Sequence, residues 1–352
     1  MAKSLLTDLS FEELDGVIVG IGEPKFRAKQ LWQWLIKGAD FAQMSNLPKD
    51  FLDKLSQNFN AQGVEIYGEF KSQKDGTLKY LYKLSDGNLI EGVLMKYKYG
   101  NTLCVSTQVG CRMNCAFCAS GLDGLIRNLT AGEILGQVIA VNTRNATEKD
   151  RGVTNIVLMG SGEPLDNYDN VCKFLTLVSD EKGLNISKRN ISLSTCGLCD
   201  RIRQLADDGY TPTMTISLHA PNDEMRKEIM PIAKKYSIDD IIKAVKYYFD
   251  KTGRRIIFEY SMIAGKNDSE ECARQLAGVV KGLACHVNLI PLNYVKERGL
   301  DGSNKKSIYL FMSILEKQGV SVTVRRSMGS DIDGACGQLR RKVIENEDNR
   351  NI

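Results

Sequence analysis

Three cysteines lie close together in the segment GCRMNCAFCASG, residues 110 to 121. Cys111, Cys115 and Cys118 have the spacing C-x3-C-x2-C and follow an apolar run. Soft thiolates at this spacing can bind three irons of a 4Fe-4S cluster, and without a fourth thiolate one iron stays open to a substrate. A structural zinc site instead needs four protein ligands, which leave no coordination position open. The segment therefore favours an iron–sulfur cluster with an open iron over zinc or chance clustering.

The chain has 10 cysteines and a net charge of +4. Its opening residues carry acids where a signal peptide would be apolar, and no apolar run approaches the roughly 20 residues that span a bilayer. We therefore expect a cytoplasmic protein without a membrane partner, whose thiols are reduced, bind metal or react. The charge permits a polyanionic partner such as RNA without requiring one.

Small and polar residues recur where predicted strands end, namely at Gly162, Glu163, Ser194, Ser217, His219 and Asn293. Glu163 could accept a hydrogen bond from a ligand's ammonium group. Taken singly, each residue has an ordinary structural explanation, since a turn needs glycine and a lone histidine is as often structural as ligand-binding. Their shared position predicts a ligand site at one rim of a sheet, because parallel strands end together.

From residue 103 onward, strand and helix patterns alternate. The predicted strands are 103–108, 154–160, 190–195, 213–219, 255–263 and 286–293, with 321–326 as a late addition. Thr130 and Glu133 form a capping box that begins a helix over 130–144. Six strand–helix units predict an α/β fold with a parallel sheet, either open or closed into a partial barrel.

The first 90 or so residues have a different pattern. The segments 26–39 and 47–59 predict helices, the first with Leu31, Trp34 and Leu35 on one face. Residues 68–97 predict two or three strands, separated by Asp-Gly turns at 75–76 and 86–87. We expect an N-terminal accessory domain over residues 1–90 and an α/β core over 91–352.

These segments together resemble the RlmN-type adenine C2 RNA methyltransferases of the radical S-adenosylmethionine superfamily. The matching blocks are LCVSTQVGCRMNCAFCASG, the GEPL loop, ISLHAPN, HVNLIPLNYV and DIDGACGQL, and the likeness covers nearly the whole chain. The resemblance implies a partial (β/α)6 barrel methyltransferase core over 91–352, which includes the C-terminal cysteine segment. It also implies a small helical N-terminal accessory domain over 1–90, which we expect to help grip RNA. It implies one 4Fe-4S cluster on Cys111, Cys115 and Cys118. The S-adenosylmethionine contacts that it implies are Gly162, Glu163, Ser194, Ser217, Leu218, His219 and Asn293.

Members of that family methylate C2 of an adenosine in the peptidyl-transferase region of 23S rRNA, and many also modify the adenosine 3′ to a tRNA anticodon. Carbon C2 is electron-poor, so direct attack on an electrophilic methyl group should fail. The resemblance implies that Cys336 first takes a methyl group, which a radical from a second cofactor molecule activates. Glu91 then removes the C2 proton, and Cys104 releases the product by forming a transient disulfide with Cys336. The implied partners are 23S rRNA, tRNA, a low-potential electron donor and a thiol reductant.

Other interpretations stay open at this point. Read alone, Glu91 is a solvated strand residue and Cys104 is core packing. A related C8-methylating branch shares the cluster and both cysteines, although NLIEGVLMKY and VNLIPLNYV favour C2. A zinc-stabilised RNA-binding protein without catalysis is the alternative from another class. No segment resembles a known RNA-binding module, and the target adenine is expected to be unstacked.

Overall fold

The computed structural model describes residues 3–148, 150–329 and 331–332. Its helices are α1 (Phe11–Gly20), α2 (Phe26–Leu35), α3 (Lys49–Asn58), α4 (Ala131–Asn145), α5 (Tyr168–Ser179), α6 (Cys199–Asp207), α7 (Asp223–Ile229), α8 (Ile238–Thr252), α9 (Glu270–Val280) and α10 (Lys305–Lys317). Its strands are β1 (Ser4–Leu5), β2 (Phe59–Asn60), β3 (Val64–Lys71), β4 (Leu78–Leu84), β5 (Leu89–Tyr97), β6 (Gly100–Cys104), β7 (Gln108–Gly110), β8 (Leu125–Asn128), β9 (Asn155–Leu158), β10 (Ile191–Thr195), β11 (Thr213–Ser217), β12 (Ile256–Met262), β13 (Cys285–Pro291) and β14 (Val322–Val324).

One large sheet organises the chain. In the described residues it has ten strands in the order β14-β13-β12-β11-β10-β9-β6-β5-β4-β3. Strands β6 and β9 to β14 are parallel, whereas β3, β4 and β5 extend the sheet in antiparallel pairing. The predicted α/β fold with a parallel sheet is confirmed, and the late addition at 321–326 contains the parallel edge strand β14.

The two faces of this sheet differ in chemistry because successive side chains in a strand point to opposite faces. One face packs on the helices and carries apolar residues such as Leu103, Ile156 and Phe258 in the main hydrophobic core. The opposite face, called the inner face below, is more polar. Strand register places the following residues on it: Glu91, Cys104, Ser194, Ser217 and Glu259.

The N-terminal helices form their own apolar cluster, which includes Leu14, Leu31, Phe51 and Leu55. The helices predicted within 26–39 and 47–59 are present as α2 and α3. Strands β3 to β5 belong to the large sheet, with the two predicted Asp-Gly turns between them. The boundary expected after residue 90 falls within β5, which pairs with both β4 and β6.

Helix α2 places its two tryptophans in different surroundings. Trp32 is buried, and its indole N–H donates to the carbonyl of Lys182 at 2.7 Å, beyond the end of α5. Trp34 is only partly buried, and its indole N–H donates to the Asn46 side chain at 2.6 Å. The helical pattern therefore identified the buried face only in part. Trp32 rather than Trp34 links the N-terminal helices to the core.

No helix in the described part of the chain is both long and apolar enough to cross a membrane.

We predict that Trp32→Phe lowers the free energy of unfolding by about 1 kcal/mol, because it removes a buried hydrogen bond between the N-terminal helices and the core. Trp34→Phe, the matched control, should cost less than about 0.5 kcal/mol. Urea denaturation followed by circular dichroism measures both losses. Equal losses in the two variants would contradict this account of Trp32.

Candidate active site

The three clustered cysteines lie in one loop, residues 111–124, between β7 and β8; we call it the cluster loop. Its ends meet where the Cys111 N–H donates to the Gly124 carbonyl at 2.8 Å. Gly110 precedes the loop with a φ of 78°, and a Cβ there would lie 2.0 Å from the Gly124 carbonyl oxygen. Only glycine fits this position, because it needs both left-handed backbone and no side chain.

The cluster-loop thiols are close enough to influence one another. Burial first, and the nearby Glu163 and Cys118 with it, raise the pKa of Cys111 to about 12, although a hydrogen bond from the Met113 backbone opposes the shift. Burial also raises the pKa of Cys115, together with the charges of Cys118 and Cys111. The Cys111 and Cys115 thiols are therefore protonated without metal, and iron binding has to displace their protons.

No three His, Cys, Asp or Glu side chains in the described ranges are grouped so that they could hold one metal ion. A 4Fe-4S cluster does not require such a group, because each thiolate binds a different iron. Three soft thiols in one closed loop fit such a cluster chemically. The donor set is therefore that of an iron–sulfur cluster with three protein ligands.

Contacts from several elements hold the cluster loop in place. The Arg298 guanidinium donates to the Cys118 carbonyl at 3.1 Å and to the Asn114 side chain at 2.8 Å. The edge of the Phe117 ring meets the His219 ring with centroids 4.7 Å apart. These contacts bring the loop beside the rim predicted from the strand ends.

Glu163 lies at that rim with its carboxylate buried. One oxygen accepts from the Leu165 N–H at 3.1 Å and the other from the Cys196 N–H at 2.8 Å. Burial raises the pKa of Glu163. The residue before it, Gly162, has a φ of 107°, and a Cβ there would lie 2.6 Å from the Gln108 side chain. The backbone at Gly162 therefore packs closely against Gln108, with no room for a side chain.

His219 follows β11 in a left-handed conformation, with a φ of 58°. Its Nδ1 accepts from the Ser261 N–H at 3.0 Å, and burial lowers the pKa of His219 to about 3. The ring is therefore neutral at physiological pH and carries its proton on Nε2. That N–H is the donor that the ring can offer to a ligand.

Arg226 in α7 was missed by the sequence analysis. It is fully buried, and its guanidinium donates to the carbonyls of Cys196 at 2.7 Å and Leu218 at 3.2 Å. It thereby ties the segments that follow β10 and β11, which carry Cys196 and Leu218, to one helix. In the charged stretch DEMRKEI an arginine looks solvent-exposed, so the sequence carried no signal for its burial.

Polar side chains on the inner face surround a second missed residue, Glu259 of β12. Ser194 donates to its carboxylate at 3.5 Å, and the Arg325 guanidinium lies 3.4 Å from the other oxygen. Burial raises the pKa of Glu259, although Arg325 opposes the shift. Asn293, by contrast, is exposed and lies two residues beyond the end of β13. The structure thus brings Ser194 into a polar cluster and leaves Asn293 at the surface.

Glu91 and Cys104 lie on the inner face of the neighbouring strands β5 and β6. Cys104 is paired with Val93, two residues along β5 from Glu91. Such diagonal neighbours have Cβ atoms roughly 7–8 Å apart. Glu91 is only 5% exposed, and its carboxylate lies 3.0 Å from the ammonium of Lys79, a third residue missed from the sequence. The interpretation of Glu91 as a solvent-exposed strand residue is therefore wrong.

Cys336 lies outside the described residues. The chain that leads toward it is held against the inner face, where Met328 packs on the cluster of Val93, Met95 and Cys104. The Gly329 N–H then donates to Asp75 at 2.8 Å. These contacts fix the course of the chain as far as residue 329.

Comparison with known proteins gives two family-model matches. Residues 105–277 match the "Radical SAM superfamily" model, and residues 5–60 match the "Ribosomal RNA large subunit methyltransferase N-terminal domain" model. The chain is 54% identical over 349 residues to a Clostridium botulinum protein named "Probable dual-specificity RNA methyltransferase RlmN", covering 99% of both chains. A Clostridium perfringens protein of the same name is 53% identical over 98% of this chain and 99% of its own.

A solved structure is also similar. The crystal structure of a radical SAM methyltransferase from Sphaerobacter thermophilus matches with a TM-score of 0.91 at 40% identity. The match covers 95% of this chain and 98% of that one. Both the N-terminal helices and the sheet are therefore shared with a known radical SAM methyltransferase.

We predict that Gly110→Ala abolishes most iron binding, because its methyl group would overlap the Gly124 carbonyl. Gly124→Ala is the matched control: its φ is 68°, but a Cβ there meets nothing within 4 Å. That variant should retain most of the approximately four irons per chain expected for the intact cluster. Anaerobic reconstitution followed by iron analysis measures both, and full iron loading of Gly110→Ala would contradict the role of this glycine.

Proposed function

The chain belongs to the RlmN family of dual-specificity radical SAM RNA methyltransferases, and we propose from this premise that it methylates carbon C2 of adenosine in 23S rRNA and in some tRNAs. The observation that carries the proposal is the inner-face group of Glu91 and Cys104, with Met328 of the C-terminal segment packed beside it. A proton acceptor and a thiol on neighbouring strands are what release of a sulfur-bound product requires.

The proposed cofactors are one 4Fe-4S cluster and S-adenosylmethionine. Cys111, Cys115 and Cys118 hold the cluster, which when bound supplies the electron that cleaves S-adenosylmethionine to a 5′-deoxyadenosyl radical. The electron comes from an external low-potential donor. The residues that we assign to S-adenosylmethionine are Gly162, Glu163, Ser194, Ser217, Leu218, His219 and Asn293. Among them, Glu163 offers carboxylate oxygens and neutral His219 an N–H.

Cys336 is the proposed methyl carrier. Its thiolate takes the methyl group of one S-adenosylmethionine, and S-adenosylhomocysteine leaves. The resulting S-methyl group would then lose one hydrogen atom to the 5′-deoxyadenosyl radical and bond through carbon to adenine C2. The radical adduct would give up one electron, which the oxidised cluster held by Cys111, Cys115 and Cys118 would take back. This route avoids the failure of direct methyl transfer, because the electron-poor carbon accepts a radical rather than acting as a nucleophile.

Glu91 and Cys104 complete the proposed cycle. Glu91 accepts the C2 proton of the covalent adduct. The Cys104 thiolate attacks the Cys336 sulfur, breaks the carbon–sulfur bond and forms a disulfide, and the released carbon takes up a proton to become methyl. A thiol reductant restores both cysteines.

Anaerobic turnover with S-adenosylmethionine that carries a trideuterated methyl group tests the methyl carrier. We expect the product methyl group to retain two deuterons, because one is lost to 5′-deoxyadenosine. A product with three deuterons would exclude hydrogen abstraction from methylated Cys336. Mass spectrometry of the same nucleosides against 2-methyladenosine and 8-methyladenosine standards distinguishes C2 from the C8-methylating alternative.

Cys104→Ala tests the resolving thiol. Without Cys104 the carbon–sulfur bond has no attacking group, so we expect enzyme and RNA to accumulate as a covalent adduct, visible on a denaturing gel. Cys172→Ala is the matched control, because Cys172 is a buried cysteine on α5 that packs in the helix-side core. Recovery of only free RNA and free enzyme from Cys104→Ala would count against the resolving role.

A further inference from the structure

We propose that Lys79 is a positioning residue for Glu91, whose carboxylate it pairs with and orients until the C2 proton is transferred. This inference rests on the proposed function, because it concerns the step assigned to Glu91. It adds a residue to which neither the sequence motifs nor the resemblance gives a role.

The geometry begins with the β4–β5 pairing. Lys79 is paired with Val93, so it lies two residues diagonally from Glu91 on the inner face. Its ammonium nitrogen is 3.0 Å from a Glu91 carboxylate oxygen. The lysine side chain is 0% exposed and the glutamate side chain 6% exposed. The two charges are therefore paired away from solvent.

A buried ion pair of this kind is not explained by stability alone. Removing two charges from water costs several kcal/mol per ion, and an apolar pair of similar volume is often as stable or more so. An inner strand of this sheet could hold leucine and methionine at both positions. The charged pair is better explained by the chemistry assigned to Glu91, which needs an ionised carboxylate at a fixed place.

The charge of Lys79 matters because few other ionisable groups face Glu91. In the described residues, the titratable groups on the same face of the flanking strands are Lys79 and Lys83 on β4 and Cys104 on β6. Lys83 is exposed to solvent, and its ammonium lies over the Tyr67 ring. Near the β3–β4 turn, the Asp75 carboxylate accepts a hydrogen bond from the Gly329 N–H, and the Asp331 carboxylate accepts one from the Ser72 hydroxyl. Among these described groups, Lys79 is therefore the buried cation that is paired with Glu91.

Without the Lys79 charge, a buried carboxylate would take up a proton more readily, because burial disfavours the charged form. A larger share of the enzyme would then carry a protonated carboxyl at this position, and that form cannot accept the C2 proton. Raising the pH would restore the carboxylate and the proton transfer with it. The first half of the cycle, in which Cys336 takes its methyl group, does not use Glu91 and should be unaffected.

The test compares Lys79→Met with wild-type holoenzyme in anaerobic single turnovers on an rRNA fragment across neutral and alkaline pH. We expect product release at neutral pH to slow by on the order of tenfold to a hundredfold. Covalent enzyme–RNA adduct should accumulate, and the acidic limb of the pH–rate profile should move to higher pH. Formation of S-methyl-Cys336, measured by peptide mass spectrometry, should match the wild type. Lys79→Arg keeps a cation and should restore most of the rate.

Lys83→Met is the matched control, because Lys83 is on the same strand but exposed to solvent. Its release rate and pH profile should equal those of the wild type. If Lys79→Met does not fold, Lys79→Gln answers the same question, since it keeps a donor without the charge. Wild-type release by a folded, uncharged Lys79 variant, or slowing that is equal at every pH, would overturn the proposal. Failure of the proposed function is distinguishable, because wild-type enzyme would then form neither S-methyl-Cys336 nor adduct.

Discussion

The antiparallel pairing of β5 with β6 is the contact on which the candidate site depends. It joins the N-terminal antiparallel strands to the parallel sheet and sets Val93 opposite Cys104. A shift of one residue in this register would send Glu91 to the helix-packed face, because side chains alternate along a strand. The Ser106 hydroxyl, which donates to the Glu91 carbonyl at 2.8 Å, supports the same alignment beyond the end of β6. Strand register therefore determines whether Glu91 and Cys104 share a face at all.

The site also depends on buried charges that are each satisfied locally. Glu163 accepts backbone N–H groups, Arg226 donates to backbone carbonyls and Glu91 pairs with Lys79. A buried charge without such partners is unstable, so each of these groups constrains the segments around it. Arg226 in particular fixes the segments that follow β10 and β11, and the second of these segments carries Leu218 and His219. The hydrogen bonds and the ion pair that stabilise these buried charges also hold the rim in one conformation.

Much of the fold follows from local pattern, and much of the site does not. The strands of the parallel sheet, the Thr130 capping box and the Asp-Gly turns were predicted because each depends on residues close in sequence. The cluster-loop cysteines were found for the same reason. The sequence analysis missed Lys79, Arg226 and Glu259. Their burial depends on strand order and on helix packing, which local hydropathy does not reveal. Asn293 lies exposed two residues beyond β13, and its assignment to the ligand site stays a prediction.

The sheet divides the proposed chemistry between its two parts. The parallel strands β9 to β11 end at the rim that carries Glu163, Ser217 and His219, next to the cluster loop. The antiparallel strands carry Lys79 and Glu91, with Cys104 on β6 between the two parts. Radical formation and proton removal are thus assigned to opposite sides of β6. Strand β6, which is antiparallel to β5 and parallel to β9, therefore lies between the residues assigned to these two steps.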